Sequence, residues 1–212
     1  MKKWLLSGVV ALLLPCAAMA NTFIQGKHYD VIAEQVTAKP EVKEYFSFYC
    51  GGCYSFEPVV QQLARNLPAD TEMKKVHVDF VRAASPEIQN LLTRAYIVAS
   101  NLGKGDQVSM AIFNQIHRSR VPFRSEADVR SLLAIHDIDG DTFDKAMRSF
   151  SVMGAARQMM REQEELSNRR VLTGVPMLVV NGKYRIINEG LNQRNLQQDL
   201  QQLVDYLLAK DA

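Results

Sequence analysis

Two cysteines separated by two glycines, Cys50-Gly51-Gly52-Cys53, are the residues of this chain best suited to chemistry. A thiolate is a strong nucleophile, and two thiols at this spacing can close a disulfide, open it and pass it to a partner. The segment before them, Glu41-Val-Lys-Glu-Tyr-Phe-Ser-Phe-Tyr49, is rich in aromatic residues and reads as a strand buried on both faces. Immediately after Cys53, the apolar residues Phe56, Val59, Val60, Leu63 and Leu67 recur at spacings of three and four, which predicts a helix. The cysteines therefore lie where a strand hands over to a helix. The first helical turn presents unpaired N–H groups and the positive end of the macrodipole, so a thiolate at Cys50 is stabilised and its pKa is expected to fall. Cys53 falls on the same face one turn deeper, within the reach a disulfide needs. An exposed first sulfur and a shielded second one make an attacking and a resolving thiol.

Other uses of the pair are weaker. A purely structural bridge closing so short a loop would constrain the unfolded chain little. Half of a zinc site would need two further ligands, and His28, His77, His117 and His136 show no metal-site pairing. Neither a metal nor a cofactor is expected. Two inert thiols would be odd in an exported protein, and export is what the N-terminus indicates. Lys2-Lys3, an apolar run from Trp4 to Leu14 and the ending Ala18-Met19-Ala20 read as a cleavable secretory signal over residues 1–20. The run is too short for a permanent membrane span. Cleavage after Ala20 removes Lys2, Lys3 and Cys16, which leaves balanced charge and Cys50 and Cys53 as the only cysteines.

The whole chain of 212 residues carries 25 basic and 23 acidic side chains and is 47% apolar, enough for one ordinary domain or one domain with a large insertion. Near-neutral charge argues against a nucleic-acid binder that works by phosphate neutralisation. Residues 22–29 read as irregular chain with a short strand. Residues 74–80 alternate Val76, Val78, Phe80 against Lys75, His77, Asp79, a second main strand. Strand, helix and strand together make a right-handed βαβ unit. Pro58 is expected to bend the intervening helix without ending it. From Pro86 to about Arg170 the pattern is helical, over 88–100, 106–117, 126–136, 142–149 and 155–167, with Ser125 and Asp128 forming a loose capping box. Met153, Met159 and Met160 are expected in the core, while Glu162–Glu165 and Arg169-Arg170 read as solvated helix faces or caps. Met177-Leu-Val-Val180, the turn Asn181-Gly182 and Lys183-Tyr-Arg-Ile-Ile187 form a hairpin. A helix over 192–210, striped by Leu196, Leu200, Leu203 and Leu207, closes the chain.

Glu44-Tyr-Phe-Ser-Phe-Tyr-Cys-Gly-Gly-Cys-Tyr-Ser-Phe-Glu57 and Gly174-Val-Pro-Met-Leu-Val-Val-Asn-Gly-Lys-Tyr184 resemble the DsbA family of bacterial periplasmic thiol:disulfide oxidoreductases. The resemblance covers essentially the whole mature chain. It implies an α/β fold, a thioredoxin fold with an inserted all-helical subdomain: 21–82 and 155–212 for the thioredoxin-like parts, 83–154 for the insertion. It implies that Cys50 is the nucleophile, that Cys53 resolves, and that Val175-Pro176 is a cis-proline loop whose backbone pairs with the substrate chain. It places Glu44, Glu57 and Lys75 as buried charges beneath the site, where the pattern alone would leave Glu57 on an exposed helix face and Glu44 on a strand edge. A buried carboxylate needs a partner, and Lys75 is the natural one.

The implied activity is donation of the Cys50–Cys53 disulfide to unfolded or folding exported proteins in the periplasm, followed by reoxidation by a DsbB-like membrane quinone reductase. A monomer that binds no nucleic acid is expected. The departure from the family's best-known members is Gly51-Gly52 in place of Pro-His, which removes an imidazole that helps stabilise the thiolate. A less depressed Cys50 pKa and a weaker oxidant follow. A reductase or isomerase is the competing enzyme reading, although the chain lacks the N-terminal dimerisation domain typical of the isomerases of that compartment. A non-catalytic polypeptide-binding holdase on the same scaffold is the competing reading of a different class.

Overall fold

A computed structural model describes residues 23–210. The expected secretory signal, Cys16 and the cleavage point at Ala20 lie outside the described residues. One five-stranded sheet runs in the order β1-β5-β4-β2-β3, from β1 (Tyr29–Val31), β2 (Glu41–Phe46), β3 (Glu72–His77), β4 (Met177–Val180) and β5 (Tyr184–Ile186). β2 and β3 are parallel and are joined by α1 (Gly51–Asn66), the expected βαβ unit. β4 is antiparallel to both β2 and β5, and β5 is antiparallel to β1. Asn181 and Gly182 take positive φ in the three-residue connection Asn181–Lys183 between the paired ends Val180 and Tyr184, a conformation that Asn-Gly adopts readily.

Between β3 and β4 the regular elements are helical: α2 (Pro86–Asn101), α3 (Gly105–Phe113), α4 (Glu126–Ile135), α5 (Gly140–Met147) and α6 (Phe150–Asn168). α7 (Leu196–Ala209) closes the chain and packs Leu200, Leu203, Val204 and Leu207 with Phe56, Val60 and Leu63 of α1. A second apolar cluster joins α2–α6 to Phe46, Phe48 and Cys53, so the helical layer is built directly onto the strand end that carries the cysteines. α6 spans both layers, with Val152 and Ala156 in the helical cluster and Leu166 against the sheet.

Several local expectations shift. α1 begins at Gly51, not after Cys53, because the Cys50 sulfur accepts the N–H of Cys53 and caps the helix; the helix then runs on through Pro58. β3 stops at His77, since its partner β2 ends at Phe46 and Val78 N–H to Phe46 O, 2.8 Å, is the last bond of that register. Phe80, expected on the strand, lies past it and is exposed. The helix expected over 106–117 ends as α3 at Phe113 and widens into a π-helical turn, Asn114–Arg118. α6 starts five residues early, capped by Ser149. The capping box at Ser125 and Asp128 is complete.

Met153 and Met160 are exposed, contrary to the core expectation, because α6 buries the stripe Val152, Ala156, Gln163, Leu166 and leaves them on the adjoining face. Met159 packs on the apolar clusters. Glu162 is not simply solvated, since it accepts from Lys43 Nζ at 3.0 Å and Tyr45 Oη at 3.4 Å.

Candidate redox site

The Cys50 side chain is half-buried and Cys53 is fully buried, with both sulfurs unbonded. The backbone N–H of Cys53 lies 3.1 Å from Cys50 Sγ. In its protonated form the Cys50 thiol donates to Val175 O at 3.3 Å, a bond the thiolate gives up. Together the hydrogen bond from the Cys53 side chain and those from the backbone N–H groups of Cys53 and Gly52 outweigh burial and lower the Cys50 pKa to about 6. The Cys53 thiol is pushed far up, first by burial and then by the neighbouring Cys50 and Glu44. One sulfur is thus an accessible thiolate at neutral pH and the other a shielded thiol.

Val175-Pro176 is a cis peptide bond, and it faces the cysteines: a Cβ at Gly52 would lie 3.5 Å from Pro176 Cδ and 3.7 Å from Cys50 Sγ. Asn188 Nδ2 donates to Pro176 O at 3.0 Å and fixes the loop from the far side. Beside it runs an open groove of about 320 Å³ lined by residues that include Thr173, Val175, Pro176, Arg185, Ile187 and Asn188.

Beneath the cysteines lie the three charges singled out from sequence. The parallel register sets Glu44 opposite Lys75. Lys75 Nζ is 3.0 Å from Glu44 Oε2 and 2.5 Å from Glu57 Oε2, with both carboxylates fully buried. The exposed-face reading of Glu57 and the edge reading of Glu44 are therefore wrong: β2 is the fourth strand of five, and α1 turns Glu57 inward. The two carboxylates differ. Glu57 also accepts from Gln61 Nε2 and Ser109 Oγ, each at 3.0 Å. Neither Glu44 oxygen has a hydrogen-bond partner, and the ammonium approaches it only as an ion pair. Burial raises the Glu44 pKa to about 7 against the pull of Lys75. Burial opposes the Lys75 charge, but Glu44 and Glu57 outweigh it and hold its pKa above the usual value.

His77 is a site residue that the sequence offered only as an unpaired metal candidate. It is 2% exposed. Its Nε2 accepts the Phe48 N–H at 3.1 Å, and its Nδ1 lies 2.8 Å from Thr93 Oγ1. The Thr93 hydroxyl donates onward to Gln89 O, so the His77 proton sits on Nδ1. Burial drops the pKa to about 3, which keeps the ring neutral. The signal was present in the alternation, since His77 shares a strand face with Lys75. Ser109 carried no such signal, because it comes from α3 across a long insertion. Among the described residues no cluster of His, Cys, Asp or Glu could hold a metal ion, and no helix is long and apolar enough to cross a membrane.

Residues 41–201 match the DSBA-like thioredoxin domain. The chain is 35% identical to the thiol:disulfide interchange protein DsbA of Salmonella typhimurium, over 99% of this chain and 100% of that one. The solved structure of DsbA from Klebsiella pneumoniae superposes with a TM-score of 0.78 at 28% identity, covering 89% of this chain and 99% of that one. A Proteus mirabilis DsbA with a non-covalently bound peptide superposes at 0.77 and 30% identity, covering 88% of this chain and 98% of that one.

Proposed function

The chain belongs to the DSBA-like family of thiol:disulfide oxidoreductases, and on that premise we propose that Cys50 and Cys53 form the redox couple of a periplasmic disulfide donor. The observation that carries this reading is the asymmetry of the pair: a half-exposed thiolate at a helix N-terminus above a buried thiol. Stabilising the Cys50 thiolate stabilises the reduced enzyme, and a stable reduced product drives transfer of the disulfide outward.

In the forward direction a substrate thiolate attacks Cys50 Sγ of the oxidised pair. The S–S bond breaks, the electron pair leaves on Cys53, and a mixed disulfide joins Cys50 to the substrate. Cys53 takes up a proton, for which Glu44 is the suitable source: its pKa of about 7 leaves it partly protonated at neutral pH, and its charge is felt at Cys53. A second substrate thiolate attacks the substrate sulfur and expels the Cys50 thiolate. The substrate loses two electrons and gains a disulfide, and the enzyme becomes the dithiol. The backbone at Val175-Pro176 and the adjoining groove would hold the substrate strand. Folding exported proteins are the proposed substrates, and a DsbB-like membrane quinone reductase the proposed reoxidant. The enzyme is proposed to act as a monomer.

The Gly51-Gly52 dipeptide favours one second reading, a reductase or isomerase, because it lacks the imidazole that would further stabilise the thiolate. Mixing the oxidised protein with a reduced, unfolded two-thiol protein separates the two. A donor leaves the substrate oxidised and Cys50 alkylatable; substrate that stays reduced over an oxidised enzyme contradicts donation.

A further inference from the structure

We propose that the π-helical turn Asn114–Arg118 straps the redox loop in place, with His117 as its positioning residue; the proposal rests on Cys50 and Cys53 being the redox couple. Phe48, two residues before Cys50, is held at both ends of its backbone. Its N–H goes to His77 Nε2 from β3, and its C=O lies 2.8 Å from His117 Nε2. A carbonyl only accepts, so His117 carries its proton on Nε2, opposite in role to His77.

The same turn also grips the chain on the other side of the cysteines. Tyr54, next after Cys53, donates its hydroxyl to Asn114 Oδ1 at 2.9 Å. Its ring lies parallel to the His117 imidazole, 9° between planes and 5.1 Å between centroids. One widened turn, closed by Ser119 N–H to Asn114 O at 2.9 Å, thereby contacts the backbone before the redox pair and the side chain after it. Single π turns inserted in α-helices recur at functional sites.

The glycines make this strap necessary. A Cβ at Gly51 would meet nothing within 4 Å, so a side chain there would find nothing to pack against, and a Gly-Gly link contributes more backbone freedom than any other pair. The order of the loop comes from its flanks. Tyr49 N–H is bound to Ser47 Oγ at 3.2 Å, and Cys50 N–H to Ser47 O at 3.0 Å. With Phe48 clamped between two imidazoles, Cys50 Sγ is presented to the N–H groups of the first turn of α1 without any side chain from the two residues between the cysteines.

The test compares wild type with His117→Phe, His117→Gln and Tyr54→Phe. His117→Phe keeps a ring against Tyr54 and removes the donor, His117→Gln keeps an N–H donor without the ring, and Tyr54→Phe removes only the hydroxyl. Each variant is equilibrated with glutathione and its Cys50 thiolate is titrated by absorbance. Loss of one such hydrogen bond predicts that His117→Phe shifts the equilibrium about 3- to 10-fold toward the oxidised enzyme and moves the thiolate titration upward. His117→Gln returns to within about twofold of wild type, and Tyr54→Phe shifts about twofold in the same direction. A merely structural role would change thermal stability and leave both readouts in place; a folded His117→Phe with the wild-type equilibrium overturns the proposal. So does a folded His117→Gln that behaves like His117→Phe. Should His117→Phe fail to fold, an unshifted Tyr54→Phe overturns it instead. A wild-type protein that exchanges no disulfide at all would remove the redox reading itself, a result distinct from any of these.

Discussion

The backbone N–H of Cys53 points at the sulfur of Cys50 across 3.1 Å, so the Cys50 sulfur caps α1 through the N–H of the second cysteine. One bond links fold to chemistry: it starts α1 at Gly51 and stabilises the thiolate the reaction needs. Anything that misplaces the first turn of α1 disturbs reactivity and helix together.

Alkylation of the reduced protein by a small haloacetamide should follow a single ionisation near pH 6, since the Cys50 pKa is lowered to about 6. Cys53 should stay unlabelled across the neutral range, because its thiol is pushed up and buried. Mixed with a protein that carries a disulfide, the Cys53→Ser variant should attack it through Cys50, release one partner thiolate and accumulate the mixed disulfide, whereas Cys50→Ser should form none. Labelling of Cys53 before Cys50 would contradict the assignment.

Placing the missing imidazole back is feasible. A Cβ at Gly52 meets only ordinary contacts with Pro176 and Cys50. Gly52→His should lower the Cys50 pKa below its present value and make the protein a stronger oxidant by about tenfold in its glutathione equilibrium, the effect of one pKa unit. Thiolate absorbance against pH checks the first statement, and thiol alkylation at equilibrium the second.

The buried ion cluster predicts unequal costs. Lys75→Met leaves two carboxylates without their cation in a closed site and should destabilise the protein by about 3–5 kcal/mol in urea unfolding. Glu44→Gln should cost less, because Lys75 keeps its pair with Glu57 and burial already disfavours the Glu44 charge. Its effect should instead be kinetic. Formation of the mixed disulfide should slow by about tenfold or more at neutral pH, as the leaving Cys53 loses its proton donor.

Stability against pH separates His77 from Glu44. The His77 pKa is about 3 in the fold against an ordinary histidine value of 6.5, so only the unfolded chain binds that proton between the two, and stability rises with pH through this window. The Glu44 pKa is about 7 against 4.5, so the folded protein holds the extra proton and stability falls as pH rises from 4.5 to 7. In wild type the slopes oppose each other where the windows overlap. Glu44→Gln should therefore unmask a rise in stability toward neutral pH. His77→Leu should remove that rise and cost about 1–3 kcal/mol through the orphaned Phe48 N–H. Urea midpoints from pH 4 to pH 8 provide the check.

Much of this architecture was legible in the sequence because burial period and turn chemistry are local. The β2–α1–β3 unit followed from the aromatic run at Glu41–Phe46, the apolar spacing after Cys53 and the alternation around Val76; the last hairpin followed from Asn181-Gly182. The resemblance located Glu44, Glu57 and Lys75, where pattern alone would have left Glu57 on an exposed helix face and Glu44 on a strand edge. What the sequence did not show depends on long-range packing. The grip of His77 on Phe48 needs β3 beside β2, and Ser109 reaches Glu57 only once α3 is folded over α1. The exposure of Met153 and Met160 depends on which stripe of α6 the neighbouring helices cover, a choice that methionine spacing does not determine.

Disulfide donation is tested most directly by the redox equilibrium of the purified protein against glutathione, with Cys50 and Cys53 followed by alkylation. It predicts a couple more oxidising than glutathione, with the reduced enzyme favoured, despite Gly51-Gly52. A couple clearly more reducing than glutathione would contradict disulfide donation and assign the chain to reduction instead.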